Sequence, residues 1–343
     1  VHFELPDRGS RRDAAHLAQR AGLKYSDPGT QPSPERLAEA QSAFAGAISD
    51  GRFIEEAAAI GSWLWTGVGS LPDGSSDPAP LLAEGEARRE ALGHYLAGTL
   101  HYEGEWYWGV DRLHHLERRL QSLGAAQNKD DTALIFAPPP LLETPPSSPA
   151  GNGPDLHYYL SFRSPYTYIA AERVKALAEA YGATLKVRFV LPMVMRGMQV
   201  PRMKGLYILK DTAREAQRLA IPFGKVADPV GTPVERGYAI LPIAIEQGKG
   251  FDFALSFMRG VWAEGIDAGS DKGLRQITER AGLDWNAAKD LIGGDHWKAE
   301  AEANRTEMMS LGLWGVPSFR VGETAVWGQD RLWVIENVLR QDR

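Results

Sequence analysis

Cysteine is absent from this sequence of 343 residues. A chain without cysteine has no disulfide, no thiolate nucleophile and no thiolate ligand for zinc or an iron–sulfur cluster. Disulfide exchange by the protein's own side chains is therefore excluded. Any thiol chemistry at this protein needs a thiol that comes from outside the chain.

Several other features are missing as well. No apolar run approaches the roughly 20 residues that cross a bilayer, and Val1 to Arg12 lacks the apolar centre of a signal peptide. The 38 Lys and Arg residues do not outnumber the 44 Asp and Glu residues, and the 8 histidines show no metal-ligand spacing such as HExxH. We therefore expect a cytoplasmic protein with no membrane, nucleic-acid or metal partner.

The length and the 43% hydrophobic content are those of a globular chain with two domains. Seven prolines fall between Pro138 and Pro154, a density that neither a helix nor a central strand tolerates. The sequence thus predicts a first domain over residues 1–124, a Pro-rich linker over 125–155 and a second domain over 156–343.

Two sequence blocks occur twice, in the same order. WGVDRL at 108–113 and WGQDRL at 327–332 share five residues of six, and DAAHLAQRAGLKY at 13–25 parallels DTAREAQRLAIPF at 211–223. Nothing before Asp13 corresponds to residues 156–201. These repeats predict an internal duplication in which the first copy is incomplete.

The second half has a recognisable order of elements. An apolar run at 156–162 predicts a strand, Ser164 to Gly182 a capped helix, and 184–191 a parallel second strand. Helical patterns continue from about Lys204 to about Leu311, and residues 316–339 predict a hairpin followed by a helix from about Asp330 to Leu339. This is the order of an α/β thioredoxin-like fold interrupted by an all-helical subdomain.

Four motifs in this half carry a family resemblance. SFRSPYTYIA, PRMKGLYILKD, GVPSF and WGQDRL stand in the order typical of the DsbA-like thioredoxin superfamily. In particular they resemble its branch of 2-hydroxychromene-2-carboxylate isomerases and kappa-class glutathione transferases. The resemblance covers residues 156–343, and the first copy resembles only the later portions of the same family.

Ser164 stands at the candidate active position. Oxidoreductases of this superfamily begin their first helix with C-P-x-C, and here those positions read Ser164-Pro165-Tyr166-Thr167. The resemblance implies that the Ser164 hydroxyl binds the thiol of glutathione. A helix N-terminus also favours a thiolate over a thiol, because its free N–H groups carry partial positive charge. The alternative is that Ser164 only caps the helix.

The same resemblance implies four further glutathione contacts. Val316 would pair through its backbone before a cis Pro317, Lys204 would meet the glycine carboxylate, and Gln329 with Asp330 would hold the γ-glutamyl ammonium. Each residue also has a structural alternative: an edge residue at Val316, a solvated lysine at Lys204, and an acid at the start of the last helix for Asp330.

The expected function is a glutathione-dependent isomerisation of 2-hydroxychromene-2-carboxylate type, with glutathione as cofactor and a small aromatic substrate. Two alternatives stay open, a kappa-like glutathione transferase and a non-catalytic, cysteine-free binding or scaffold protein. The resemblance further implies that the two copies pack together like the subunits of a family dimer.

Overall fold

The computed structural model describes residues 7–127, 133–141 and 153–341. The chain forms two compact units that divide between Ala97 and Gly98, not in the Pro-rich segment. Residues 98–124, which the repeats assign to the first copy, therefore belong to the same compact unit as the second half. Of the predicted linker, residues 128–132 and 142–152 lie outside the described residues. The described helices include none with the length and apolar character needed to span a membrane.

The first unit is helical. Its helices are α1 (Asp7–Arg20), α2 (Pro34–Ser49), α3 (Phe53–Thr66) and α4 (Ala79–Ala91). Ser33 caps α2 by accepting a hydrogen bond from the Arg36 amide at 3.2 Å. Small residues on α2, Ala40 and Ala43 among them, allow it to pack closely on Ile60 of α3.

The second unit begins with a short hairpin. Its strands are β1 (Thr99–Tyr102) and β2 (Glu105–Trp108), and they pair antiparallel. Glu103 and Gly104 both have positive φ, as a two-residue turn between such strands requires. A 3₁₀ turn at Val110–Arg112 then leads into α5 (Leu113–Ser122).

A βαβ unit follows, as the sequence predicts. It consists of β3 (Asp155–Leu160), α6 (Pro165–Tyr181) and β4 (Thr184–Phe189), and β3 and β4 are parallel. Both strands end before the predicted residues 162 and 191. Gly182 ends α6 with a φ of 65°, a left-handed conformation that glycine adopts without strain.

Helices fill the chain between β4 and the next strand. They are α7 (Arg202–Arg218), α8 (Thr232–Glu246), α9 (Gly250–Arg259), α10 (Asp271–Arg280), α11 (Trp285–Lys289) and α12 (Lys298–Ser310). A 3₁₀ turn at Met193–Arg196 precedes them, and a π-helical turn at Gly260–Glu264 extends α9. The predicted all-helical insert is thereby confirmed.

The chain closes with β5 (Ser318–Val321), β6 (Thr324–Trp327) and α13 (Leu332–Gln341). The sheet order is β4-β3-β5-β6, and β5 runs antiparallel to both of its neighbours. The last helix begins at Leu332, two residues after the predicted start at about Asp330, because Gln329 and Asp330 form a turn. Asp330 is therefore not an acid in the first turn of α13.

The main core lies between this sheet and the helices. Leu156, Tyr158 and Leu160 of β3 are completely buried, and the rings of Phe162 and Phe257 stack 4.1 Å apart. These buried apolar side chains hold β3 in the core, and burial continues through Phe162 beyond the end of the strand. The following turn then presents the N-terminus of α6 at one end of the sheet, which is where the site is found.

Candidate functional site

Ser164 caps α6, as predicted. Its Oγ accepts a hydrogen bond from the Thr167 amide at 3.3 Å and donates one to the Val316 carbonyl at 3.2 Å. The side chain is half-buried, so its hydroxyl lies at the edge of the packed interior. The structure thus places a hydroxyl group at the N-terminus of α6, in contact with the loop before β5.

Thr167 is the residue that the sequence resemblance aligns with the second cysteine of the C-P-x-C motif. It is fully buried, and its Oγ1 has no hydrogen-bond partner among the described residues. Its backbone carbonyl accepts a hydrogen bond from the Tyr158 hydroxyl at 2.6 Å. Because Thr167 is fully buried, the hydroxyl that this turn exposes is that of Ser164.

The loop before β5 faces the start of α6. The peptide bond between Val316 and Pro317 is cis, as the resemblance implies, and the Val316 carbonyl is the group that Ser164 contacts. A Cβ atom on Gly315 would lie 2.7 Å from the indole nitrogen of Trp327, so only glycine fits beneath that ring. Ser164, Val316 and Pro317 therefore meet, although they are more than 150 residues apart in the chain.

Lys204 lies in the first turn of α7, close to the same loop. Its ammonium is 5.5 Å from the centre of the Trp314 ring, and the rings of Trp314 and Trp327 are 4.6 Å apart. Burial lowers the pKa of Lys204. The indole rings give the ammonium a cation–π partner and leave an aromatic surface beside the loop.

Gln329 and Asp330 are engaged within the protein. The Gln329 amide nitrogen donates to Glu215 at 2.8 Å, and its amide oxygen accepts from Arg173. The Asp330 carboxylate is paired with Arg112 at 2.8 Å and with Arg331 at 3.3 Å. A ligand ammonium at Asp330 would therefore have to join an existing network, and its predicted role there stays a prediction.

A buried ionic network adjoins the turn and was not anticipated from the sequence. Asp211, which is 1% exposed, is bound by Arg112 at 2.9 Å, by Arg214 at 2.6 Å and by the Tyr166 hydroxyl at 2.6 Å. Burial by itself would raise the pKa of Asp211, but the two guanidinium groups hold it below the ordinary value. One sequence feature could have pointed to this network, namely the Asp-Arg dipeptide that both WGxDRL blocks contain, because the first dipeptide supplies Arg112.

That repeated dipeptide forms a reciprocal contact. Asp111 pairs with Arg331 at 2.8 Å, and Arg112 pairs with Asp330 at 2.8 Å, so each aspartate of one block meets the arginine of the other. The two blocks thus contact each other through two ion pairs within the second compact unit. The dimer-like packing of two copies stays a prediction.

Three potential metal ligands also come together, which the sequence spacing did not indicate. Nitrogen atoms of His114 and His115 and a carboxylate oxygen of Glu215 lie within 4.8 Å of one another. Glu215 is already bound by Arg218 at 2.9 Å and by Gln329. The positive charge of Arg218 disfavours a metal cation at this cluster. The expectation that the protein holds no metal stays a prediction.

Comparisons with known proteins address the second half. The model of the DSBA-like thioredoxin domain matches residues 155–340, which is more than half of the chain. The 2-hydroxychromene-2-carboxylate isomerase of Pseudomonas sp. (strain C18) is 24% identical over 190 residues, which are 53% of this chain and 88% of that protein. The isomerase of the same name from Sphingobium xenophagum is 26% identical over 192 residues, which are 54% and 97% of the two chains.

Among solved structures, a 2-hydroxychromene-2-carboxylate isomerase is 22% identical, with a TM-score of 0.46. The match covers 54% of this chain and 94% of that one. The family match leaves residues 1–154 unassigned. The two hairpins have equal strand lengths, and each is followed by a WGxDRL block and a helix, but the internal duplication stays a prediction.

Proposed function

Because the chain belongs to the DSBA-like thioredoxin domain family, we propose that its second half binds glutathione and catalyses a thiol-dependent isomerisation of 2-hydroxychromene-2-carboxylate type. One observation carries the proposal. In a chain without cysteine, the Ser164 hydroxyl caps the N-terminus of α6, the position at which the sequence resemblance implies a thiol in oxidoreductases of the family. The relatives named as isomerases match over nearly their whole length, which supports the same class of reaction.

The proposed chemistry needs no net oxidation. The glutathione thiolate adds to a conjugated carbon of the substrate, and the displaced electron pair moves into the conjugated carbonyl system. The former double bond is then single and can rotate. Return of the electron pair expels the thiolate, so the C–S bond breaks and the isomerised double bond forms again. The protein's part is to keep the thiol ionised and to hold both reactants in register.

Ser164 and α6 favour the ionised thiol. The Ser164 hydroxyl now donates to the Val316 carbonyl, and rotation about its C–O bond would redirect it to a sulfur atom placed at the helix N-terminus. A hydrogen bond to the charged form lowers a thiol pKa, as do the unpaired amides of a helix start. In this proposal the backbone of Val316 pairs with the tripeptide.

The remaining predicted contacts concern the two ends of glutathione. Lys204 supplies a positive charge for a carboxylate beside the Trp314 ring, and the Trp314–Trp327 surface offers stacking for a planar substrate. Asp330 offers a carboxylate for the ammonium, shared with Arg112 and Arg331. The Gln329 side chain is buried and bound to Arg173 and Glu215, so it would support the turn that carries Asp330.

The test is a titration of the glutathione thiol bound to the wild-type protein and to Ser164→Ala, followed by the ultraviolet absorbance of the thiolate. Loss of one hydrogen-bond donor should raise the thiol pKa by about one to two units. Ser270→Ala is the matched control, because Ser270 is also a helix cap and accepts a hydrogen bond from the Gly273 amide at 3.0 Å, but at the start of α10 instead of α6.

Two results would contradict the proposal. One is the absence of glutathione binding at millimolar concentration, and the other is an identical titration in the wild-type and Ser164→Ala proteins. Either result would favour a scaffold protein. If the thiol titrates as expected but the substrate is recovered as a stable glutathione adduct, the activity is that of a kappa-like transferase.

A further inference from the structure

Arg112 lies outside the part of the chain that matches the family, but it reaches into that part. It follows β2 in the segment 98–124, whereas the matched domain begins at residue 155. Its Nε donates to both carboxylate oxygens of Asp211, at 2.9 and 3.0 Å, and its side chain is almost completely buried. A guanidinium from the first copy thus neutralises a buried acid of the second.

Asp211 connects this arginine to the candidate site. The Tyr166 hydroxyl donates to Asp211 Oδ2 at 2.6 Å, and Tyr166 lies in the first turn of α6, two residues after Ser164. The described partners of the Asp211 carboxylate are Arg112, Arg214 and Tyr166. Without Arg112, a carboxylate that is 1% exposed would retain one of its two guanidinium partners.

We propose that Arg112 is a positioning residue for the Ser164 site, and that it acts through Asp211 and Tyr166 on the first turn of α6. This inference rests on the proposed function, which identifies glutathione as the ligand of the Ser164 site. Arg112 fixes the Asp211 carboxylate, the carboxylate fixes the Tyr166 ring, and the ring limits the movement of the turn. The second half is therefore incomplete as a site without the segment 98–124.

The repeat supplies a matched control for this proposal. Arg331 is the equivalent arginine of the second WGxDRL block, and it pairs with Asp111 at 2.8 Å and with Asp330 at 3.3 Å. Arg112 and Arg331 are similarly buried, and both contact Asp330. Replacement of either removes one of the reciprocal pairs, but only replacement of Arg112 removes a partner of Asp211.

The first experiment compares Arg112→Gln with Arg331→Gln by titration of bound glutathione. Arg112→Gln should raise the thiol pKa by about half a unit to two units more than Arg331→Gln does. Tyr166→Phe, which removes one hydroxyl and keeps the ring, should shift the thiol pKa in the same direction. Equal shifts in the two arginine variants would overturn the proposal.

Coupling between the two residues is measured in the double variant. If Arg112 acts through Tyr166, Arg112→Gln should add little to the shift already produced by Tyr166→Phe. A merely structural role for Arg112 would instead give additive shifts, because the residues would then act independently. If Arg112→Gln fails to fold, the Tyr166→Phe variant still tests the proposal. An unchanged thiol pKa of glutathione bound to Tyr166→Phe would contradict it.

A second readout does not need glutathione. The Thr167 amide donates to Ser164 Oγ at 3.3 Å, so its hydrogen exchange reports on the geometry of the turn. Exchange at Thr167 should be faster in Arg112→Gln and Tyr166→Phe than in Arg331→Gln. If the wild-type protein binds no glutathione but Thr167 shows this pattern, the proposed function fails and the positioning role holds. If Thr167 responds alike in all three variants, the positioning role fails.

Discussion

Buried polar side chains near α6 differ in whether they have partners. Asp211 and Glu215 are each bound by several donors, and their pKa values are held below the ordinary value despite burial. Thr167 and His114 each bury a polar atom that has no hydrogen-bond partner among the described residues, although the imidazole of His114 lies 3.8 Å from Glu215. A buried polar group without a hydrogen-bond partner lowers the free energy of unfolding. A buried pair is destabilised strongly when one of its two partners is removed. Substitutions at the two kinds of residue should therefore have opposite effects.

Thr167→Val should leave the free energy of unfolding unchanged or raise it by about 1 kcal/mol, because it removes a buried hydroxyl without a partner. Thr278→Val is the control. Thr278 is equally buried, but its Oγ1 donates to the Leu274 carbonyl at 2.7 Å, so the same substitution should lower the free energy of unfolding by about 1 kcal/mol. Urea denaturation measures both. Equal destabilisation by the two substitutions would contradict this reasoning.

His114 should make the protein less stable in mild acid. Burial lowers its pKa from 6.5 to about 3, so below pH 6.5 the unfolded chain binds a proton that the folded chain does not. Stability from this residue is therefore complete above pH 6.5 and falls as the pH decreases through 6.5 towards 3. Between pH 7.5 and 5 the loss is about 2 kcal/mol. His114→Phe should reduce the measured loss by that amount, and an unchanged pH dependence of urea denaturation would refute the assignment.

At the scale of elements, both ends of α6 can be predicted directly from the sequence. Ser164 and Pro165 begin it and Gly182 ends it, as local capping rules require. The ends of the last helix were less predictable, because the turn at Gln329 and Asp330 is held by Arg173 and Arg112 from distant segments. Helix interiors also depend on their neighbours, which two glycines illustrate.

Gly237→Ala in α8 should lower the free energy of unfolding by about 1 to 3 kcal/mol, because overpacking a filled core is unfavourable. A Cβ atom there would lie 2.5 Å from the Phe257 ring and 2.8 Å from Phe162. Gly205→Ala in α7 has no atom within 4 Å of the new Cβ and should raise the free energy of unfolding by about 0.5 to 1 kcal/mol. Thermal or urea denaturation measures both changes in the free energy of unfolding. Changes of the same sign in the two variants would be inconsistent with the packing described.

At the scale of the whole molecule, sequence repeats and compact units divide the chain at different places. The repeats and the proline-rich segment favour a boundary after residue 124, whereas the compact units divide between Ala97 and Gly98. The reason is that the 98–124 segment buries charged side chains against the second half, with Arg112 on Asp211 and Arg331 on Asp111. Charges buried in this way are costly to separate.

Cleavage within the Pro-rich segment should therefore leave the two pieces associated. With a protease site introduced between residues 145 and 150 and then cut, size-exclusion chromatography should show both fragments in one peak at the mobility of the uncut protein. The same cut in an Arg112→Asp variant should release them, because aspartate would face Asp211 and Asp330. Separation of the wild-type fragments would show that the buried pairs do not hold the segment in place.

The sequence by itself determined the βαβ unit, the helical insert, the final hairpin and the cap at Ser164. These depend on local periodicity, on capping residues and on motifs that stand together in the chain. It also excluded thiol chemistry by the protein's own residues, since that requires cysteine. Only the tertiary structure decided which arginines pair with Asp330, which acid Arg112 neutralises and where the compact units divide. These partners are 99 to 220 residues apart and meet through packing, and no local pattern encodes the pairing of buried charges.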